Sequence, residues 1–239
     1  MIDAALIARF RADCAIDRDY GPPIGIAVSG GPDSLALLLL AHAALPGQVY
    51  AATVDHGLRA ESAAEAAFVA QVCRDLDVPH ATLPVRVEPG NTQAQARAAR
   101  YEALGSYFAN CNVLTFATAH HADDQAETLL MRLNRGSGLA GLAGVRPWSI
   151  FFPEGVVAEM LLLRPLLGWR REELGRVVRS AGLSPVEDPS NTDVAYDRAR
   201  IRKAIADVDW LDPLAMSQSA RYLAEAEEVV ERAVADVLQ

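Results

Sequence analysis

The stretch Ala27-Val28-Ser29-Gly30-Gly31-Pro32-Asp33-Ser34 restricts this chain more than any other. An apolar run, Ile24 to Val28, reads as a buried strand. The unbroken apolar segment Leu35 to Ala44 is long enough only for a helix. Ser29 to Ser34 is therefore a tight strand-to-helix turn. The first N–H groups of a helix lack partners within it and sit at the positive end of its dipole, so such a turn is an anion site. Gly30 and Gly31 carry no side chain to keep phosphate oxygens from those groups. Pro32 suits a first helical turn, where its missing donor costs nothing. Ser29 and Ser34 add hydroxyl donors, and Asp33 adds a carboxylate whose sense beside phosphates is to hold Mg²⁺.

Two common nucleotide loops are excluded. A Walker A loop needs a lysine to reach the β/γ-phosphates, and the only lysine in the chain is Lys203. The dinucleotide fingerprint G-x-G-x-x-G is absent. The string SGGPDS resembles the pyrophosphate loop of N-type ATP pyrophosphatases, which split ATP into AMP and pyrophosphate while adenylating a carbonyl-type oxygen.

The 239 residues fit one large domain or a domain with an appendage, and 51% hydrophobic residues supply a sizeable core. The opening residues, Met1 to Phe10, lack the basic start of a signal peptide, and the longest apolar stretch is too short to span a bilayer. Cys14, Cys73 and Cys111 form no C-x-x-C pair, which points to a reducing, cytoplasmic setting. The net charge of −9 argues against a generally basic nucleic-acid binder. Its distribution is uneven: residues 1–90 carry −5, 91–206 carry +2 and 207–239 carry −6. A polyanion would dock on the middle-to-late part.

Strand-like and helix-like segments alternate from Ile24 onward. Strands are expected at Ile24–Val28, Val49–Val54, His80–Val87 and Val113–Thr118, with a fifth within Val156–Leu163 and a strand-like Trp148–Phe152. Helices are expected from Pro32, after capping boxes at Ser62-x-x-Glu65 and Thr92-x-x-Gln95, from the His120–Asp124 cluster to Gly136, and over Arg170–Ala181 with Gly182 as its cap. This alternation predicts an α/β fold: a doubly wound, mostly parallel five-stranded sheet, Rossmann-like, with a C-terminal helical segment. Residues 1–206 are expected to form the catalytic domain and 207–239 the helical segment. Such folds place function at the C-terminal strand ends. Here those ends are Ser29–Ser34, Asp55-His56, Glu88-Pro89-Gly90 and Ala119–Asp124, the richest polar clusters of the first half.

His120, His121, Asp123, Asp124 and Glu127 open a helix, with Glu127 one turn from both aspartates. Three carboxylates near a phosphate site can hold a metal or take a proton from an amine; acids in a first turn also simply complement the dipole. Arg97 and Arg100 are either phosphate clamps or a solvated pair. Arg132 and Arg135 flank a run with four glycines in nine residues, 136–144, that reads as a ligand-hugging loop. Asp55 and His56 could border an adenine pocket. Arg198, Arg200, Arg202 and Lys203 suit a phosphate backbone or a plain charged helix.

Six stretches together resemble the tRNA(Ile)-lysidine synthetase family: SGGPDS (29–34), VDHGLR (54–59), ARAARYEAL (96–104), HHADDQAETLLMRLNRGSGLAGLAG (120–144), RPLL (164–167) and EDPSN (187–191). The family's Arg-Asn-Arg-Ile-Arg run reads Arg198-Ala199-Arg200-Ile201-Arg202 here. The resemblance implies an ATP- and Mg²⁺-dependent ligase in the cytoplasm. Its partners would be L-lysine and tRNA(Ile) with a CAU anticodon; no membrane is implied, and homodimerisation stays open. ATP would bind Ser29, Gly30, Gly31, Pro32, Asp33, Ser34, Asp55, His56, Arg97, Arg100 and His120, with Asp33 toward Mg²⁺. Asp33, Asp123, Asp124 and Glu127 would serve the chemistry. The tRNA would meet Arg132, Arg135, Gly136, Ser137, Gly138, Arg198, Arg200 and Arg202. The wobble cytidine would be adenylated on its C2 oxygen and lysine would displace AMP, changing decoding from AUG to AUA. Residues 207–239 would lead toward C-terminal domains that many members carry. The alternatives are a tRNA thiolase on the same loop, which typically needs cysteine pairs, and a non-enzymatic ATP-binding sensor.

Overall fold

The computed structural model describes residues 2–15, 22–55, 57, 62–85, 93–185 and 197–237. His56, Thr92, the 88–90 turn and the 187–191 stretch lie outside the described residues. Among the described residues no helix is long and apolar enough to cross a membrane. The chain groups into two compact units.

The first unit comprises Met1–Ala119, Trp148–Pro165 and Leu174–Val186. It holds α1 (Ala4–Asp13), β1 (Ile24–Ala27), α2 (Pro32–Ala44), β2 (Val49–Asp55), α3 (Ser62–Asp75), β3 (His80–Pro84), α4 (Gln93–Asn110) and β4 (Thr115–Ala117). The strands join one sheet in the order β3-β2-β1-β4-β6-β5, with β5 at Trp148–Phe151 and β6 at Met160–Leu163. All neighbours run parallel except β5 and β6. The sheet thus has six strands where the sequence reading expects five. The added one is the antiparallel edge strand β5, confined by Pro147 and Pro153, which cannot continue a ladder.

The order explains the layering. The crossovers β1-α2-β2 and β2-α3-β3 step one way across the sheet, and β3-α4-β4 steps back. Right-handed crossovers then put α4 on the face opposite α2 and α3. Gly25 shows how close α4 comes: a Cβ there would lie 2.6 Å from the Phe108 ring. Leu104, Phe108, Val113, Phe116, Met160 and Leu162 form the buried cluster under α4. Wholly buried α2, from Ser34 to Ala41, accounts for its unbroken apolar sequence. The strand order reverses between β1 and β4. In doubly wound sheets that switch point opens the ligand crevice, beyond the carboxyl ends of the strands.

The second unit comprises His120–Pro147, Leu166–Glu173 and Glu187–Gln239. Its elements are α5 (Ala122–Asn134), the short α6 (Leu139–Leu142), α8 (Asp197–Asp207) and α9 (Pro213–Val237); α7 (Arg171–Ser180) begins in this unit and continues in the first. α5 packs against α8 and α9, and α6 against α9. Ala122, Ala126, Leu129, Ala143, Leu166, Trp169, Ala220 and Ala224 are buried. Ser217 Oγ donates to the Leu167 carbonyl at 2.7 Å, and Arg146 pairs with Glu227.

Candidate functional site

In the first unit the turn after β1 has the shape its residues require. Val28 N–H still pairs with the Ala52 carbonyl at 2.9 Å, so the strand ladder holds up to the glycine pair. Gly30 then takes φ +87°, a conformation that strains any residue with a Cβ. Gly31 is the N-cap of α2 and supplies no side-chain cap, and Pro32 is the first helical residue. First-turn N–H groups have no acceptor within their own helix, which suits them to an anion. The two serines differ. Ser29 is exposed, whereas Ser34 is buried, accepts from Ser29 N–H at 3.1 Å and donates to the Gly31 carbonyl at 3.0 Å. Ser29 Oγ and Ser34 Oγ lie 3.1 Å apart. Ser34 therefore shapes the turn, and Ser29 is the serine at its surface. Asp33 is half-buried in the same first helical turn.

Other residues of the first unit share this sheet edge. Asp55 ends β2 and its Oδ1 accepts from Gly57 N–H at 2.8 Å, an Asx turn that closes the strand. α4 runs back against the parallel strands, so its N-terminal part lies at their carboxyl edge. There Arg97 and Arg100 are exposed, and the Arg97 guanidinium stands 5.0 Å over the Tyr101 ring. Arg164, which the sequence reading gave no role, follows β6 and is only 8% exposed. Its only sequence signal was its place in RPLL at a strand end.

In the second unit the helix-opening cluster is a set of distinct local structures. His120 is half-buried and directly precedes the cap. His121 is fully buried and caps α5: Asp124 N–H donates to its Nδ1 at 3.4 Å, and His121 N–H donates back to Asp124 Oδ2 at 3.2 Å. Histidine here replaces the usual Ser or Thr of a capping box. Asp123 accepts from Arg171 N–H at 2.8 Å and from the Arg170 guanidinium at 3.2 Å. Glu127 is 1% exposed, accepting from Arg202 Nε at 2.7 Å and Arg198 Nε at 3.1 Å. Asp124 lies 3.9 Å from Arg198 and is least enclosed by guanidinium groups. Burial by itself would raise both aspartates. For Asp123 the Arg171 N–H, Arg170 and His121 reverse that; for Asp124 His121, Arg198 and His120 do. Both carboxyls end below their ordinary value and are ionised near neutrality.

The glycine-rich run is built around α5 of the same unit. Arg135 is the C-cap of α5 and Gly136 takes φ +67° just after it, which ends the helix. Ser137 is half-buried, and Gly138 caps the single turn α6. Arg132 turns inward, donating to the Gly141 carbonyl. Gln125, buried and outside the sequence-derived set, holds the run's far end: its amide donates to the Val145 carbonyl and its Oε1 accepts from Val145 N–H, both at 2.8 Å. Gly144 beside it takes φ +69°, and a Cβ there would sit 2.7 Å from Gln125 Oε1. On α8, Arg198 and Arg202 face α5 through Glu127, one helical turn apart, while Arg200 and Lys203 are exposed.

Comparison with known proteins places these features in a family. The PP-loop domain family matches residues 8–208. A tRNA(Ile)-lysidine synthase of Novosphingobium aromaticivorans is 52% identical over 95% of this chain and 69% of its own length. Those of Zymomonas mobilis and Ruegeria pomeroyi are 48% and 46% identical, over 87% and 88% of this chain but 63% and 51% of theirs. The chain thus spans between about half and about two thirds of these relatives. Among solved structures, a U34-tRNA thiolase from Methanococcus maripaludis superposes with TM-score 0.74 at 16% identity, over 95% of this chain and 78% of that one. An NH3-dependent NAD synthetase from Campylobacter jejuni gives 0.51 at 15%, over 92% and 94%. At these identities the likeness is one of fold.

Proposed function

On the premise that the chain belongs to the tRNA(Ile)-lysidine synthase family of PP-loop proteins, we propose that it joins lysine to the wobble cytidine of tRNA(Ile) with a CAU anticodon, at the expense of ATP. The observation that carries this reading is the turn at Ser29–Ser34. A lysine-free cradle of backbone donors, opened by Gly30 at φ +87° and closed on itself by Ser34, lies beyond the carboxyl end of β1 beside the switch point. Such a cradle stabilises negative charge on departing pyrophosphate without reorganising.

The cytidine C2 oxygen attacks the α-phosphorus and pyrophosphate leaves. The lysine ε-amine then attacks C2, the C–O bond to AMP breaks, and lysidine, which pairs with A, remains. The ammonium of lysine must lose a proton, which passes to solvent water, before it attacks. Asp124 is assigned as its charge partner, because Asp123 is bonded to Arg170 and Arg171 and Glu127 to Arg198 and Arg202. Asp33 and exposed Ser29 are hard oxygen donors in the turn, a set that would fit Mg²⁺, which when bound would neutralise phosphate charge. The reading includes the cytoplasm as the place of action. A thiolase reading would draw on cysteine thiolates, and burial pushes the Cys14 and Cys73 thiols up to about 12.

The test is to incubate the protein with ATP, labelled lysine and an unmodified tRNA(Ile) transcript. Label in the RNA with AMP and pyrophosphate released is expected. ADP as the product, or RNA that stays unlabelled while pyrophosphate appears, would overturn the reading.

A further inference from the structure

Gln125 is a buried amide of the second unit that the reaction above leaves unused. It lies one turn into α5 and is 3% exposed. Its Nε2 donates to the Val145 carbonyl and its Oε1 accepts from Val145 N–H, both at 2.8 Å. One side chain thus holds both main-chain groups of a residue 20 positions on, as a neighbouring strand would. The next residue, Arg146, pairs with Glu227 of α9. The far end of the run 136–144 is therefore tied to α5 and to α9, the two helices against which α6 packs. Its near end is tied to the close of α5: Gly136 N–H donates to the Leu133 carbonyl and Ser137 N–H to the Arg132 carbonyl, both at 3.0 Å. Between the two ends the Arg132 guanidinium donates to the Gly141 carbonyl.

The glycines show what this frame holds in place. Three of the four in the run answer to the chain itself. Gly136 and Gly144 take positive φ, and a Cβ on Gly141 would lie 2.6 Å from Ser137 Cβ. Gly138 meets no such need among the described residues. Its φ of −75° is open to any residue, and a Cβ there would have nothing within 4 Å. As the N-cap of α6 it also forgoes the side-chain cap that Ser or Asp would supply. A glycine costs backbone entropy, and its return at such a position is a main chain left bare for close approach from outside. Gly138 is exposed, with exposed Arg135 and half-buried Ser137 just before it. Bare peptide near a guanidinium suits a single-stranded nucleotide, whose sugar and base can pack closely while its phosphate is drawn to the charge.

We propose that Gln125 is a positioning residue: by holding Val145 through both main-chain groups, it keeps the run in the shape that presents the bare peptide at Gly138 to a nucleotide of the substrate RNA. The inference rests on the RNA-modifying reading above. The partner is the tRNA, rather than ATP or lysine.

The test compares the full chain with Gly138→Ala, Gly138→Leu, Gln125→Met, Gln125→Glu and the double variant Gln125→Met with Gly138→Leu. Binding of an unmodified tRNA(Ile) transcript is measured by titration at fixed salt and binding of ATP by calorimetry, alongside thermal midpoints and KM and kcat in lysidine formation. Gly138→Ala should weaken RNA about threefold and Gly138→Leu about tenfold, with the thermal midpoint of Gly138→Ala unchanged or raised and ATP binding within about twofold. Gln125→Met keeps the length of the side chain and loses both bonds, so it should weaken RNA about tenfold and raise the KM for tRNA alike, with kcat within about twofold. Gln125→Glu keeps the bond from Val145 N–H; it should fold even if Gln125→Met does not, and weaken RNA about threefold. The double variant decides whether the two residues act as one. It should lose about tenfold, no more than either single change, whereas a loss of about a hundredfold would mean independent effects and would overturn the inference. Gly138→Leu that binds RNA as tightly as the parent would overturn it too, as would a loss of ATP binding equal to the loss of RNA binding. Direct RNA binding needs no lysidine product, so a chain that binds the transcript through Gly138 but labels no RNA would fail only the reaction proposed above.

Discussion

At the scale of single residues, the acidic cluster of α5 shows how one sequence pattern conceals several jobs. Five titratable side chains in eight positions read as one site; the fold divides them among the His121–Asp124 cap, the Arg170 contact of Asp123 and the Arg198–Arg202 clamp on Glu127. The arginines that hold Asp123 and Glu127 come from about 47 to 75 positions away, so no local spacing could foretell them. Asp123 is a direct check. Its carboxyl is depressed in the folded chain, so its stabilisation is full above the unfolded value near 3.9 and fades as pH falls through the lower folded value. Asp123→Asn should lose about 1–2 kcal/mol at pH 7, and less as the pH drops below about 4, in urea titrations at each pH. An equal loss at both pH values would deny the carboxylate its role. For Asp124 the expected result is kinetic: Asp124→Asn should raise the KM for lysine at least tenfold in the labelled-lysine assay with ATP binding intact. An unchanged rate at limiting lysine would remove it from the mechanism.

At the scale of elements, the parallel half of the sheet was legible because each strand is a short apolar run and each helix has its own period or cap. The turn after β1 was the most legible piece: Gly-Gly-Pro between a strand and an apolar helix admits few backbones, and Gly30 indeed adopts positive φ. The edge strand β5 was harder to place. Trp148 and Ile150 are about half exposed, so its apolar residues signal a strand without telling which neighbour it pairs with. The burial of Arg164 was illegible because β6 and α4 meet only in three dimensions. Two glycines test the packing between elements. Gly25→Ala would drive a methyl into the Phe108 ring, and overpacking of this kind costs about 1–3 kcal/mol. Gly144→Ala would combine positive φ with a clash against Gln125 Oε1, for a loss of about 2 kcal/mol. Both are read by chemical denaturation. Gly47→Ala, also at positive φ but with open space around its Cβ, isolates the backbone component and should cost about 1 kcal/mol.

At the scale of the whole molecule, the three cysteines report how the first unit opens. Cys73 is fully buried on α3, which packs against β2 and β3, while Cys111 just after α4 is half-buried. With the Cys73 thiol pushed up to about 12, only about one part in ten thousand is thiolate at pH 8, and the buried sulfur is out of reach of a reagent. A disulfide reagent should therefore modify Cys111 promptly and Cys73 only when the unit opens. Cys14, the buried C-cap of α1, serves as a second reporter, its thiol likewise pushed up to about 12. Ligand that binds only the closed unit adds RT ln(1 + [L]/Kd) to the opening free energy, about 2.7 kcal/mol at a hundredfold excess over Kd. ATP at that excess should thus slow Cys73 about a hundredfold and leave Cys111 nearly unchanged, provided reclosing outpaces modification. Cys73 sits in the last turn of α3, away from the carboxyl edge of the sheet, so its protection would come through the stability of the unit that holds both it and the turn at Ser29–Ser34. Equal slowing of Cys111 would mean that the nucleotide shields sulfur directly, and no slowing of Cys73 would mean that the turn does not hold it.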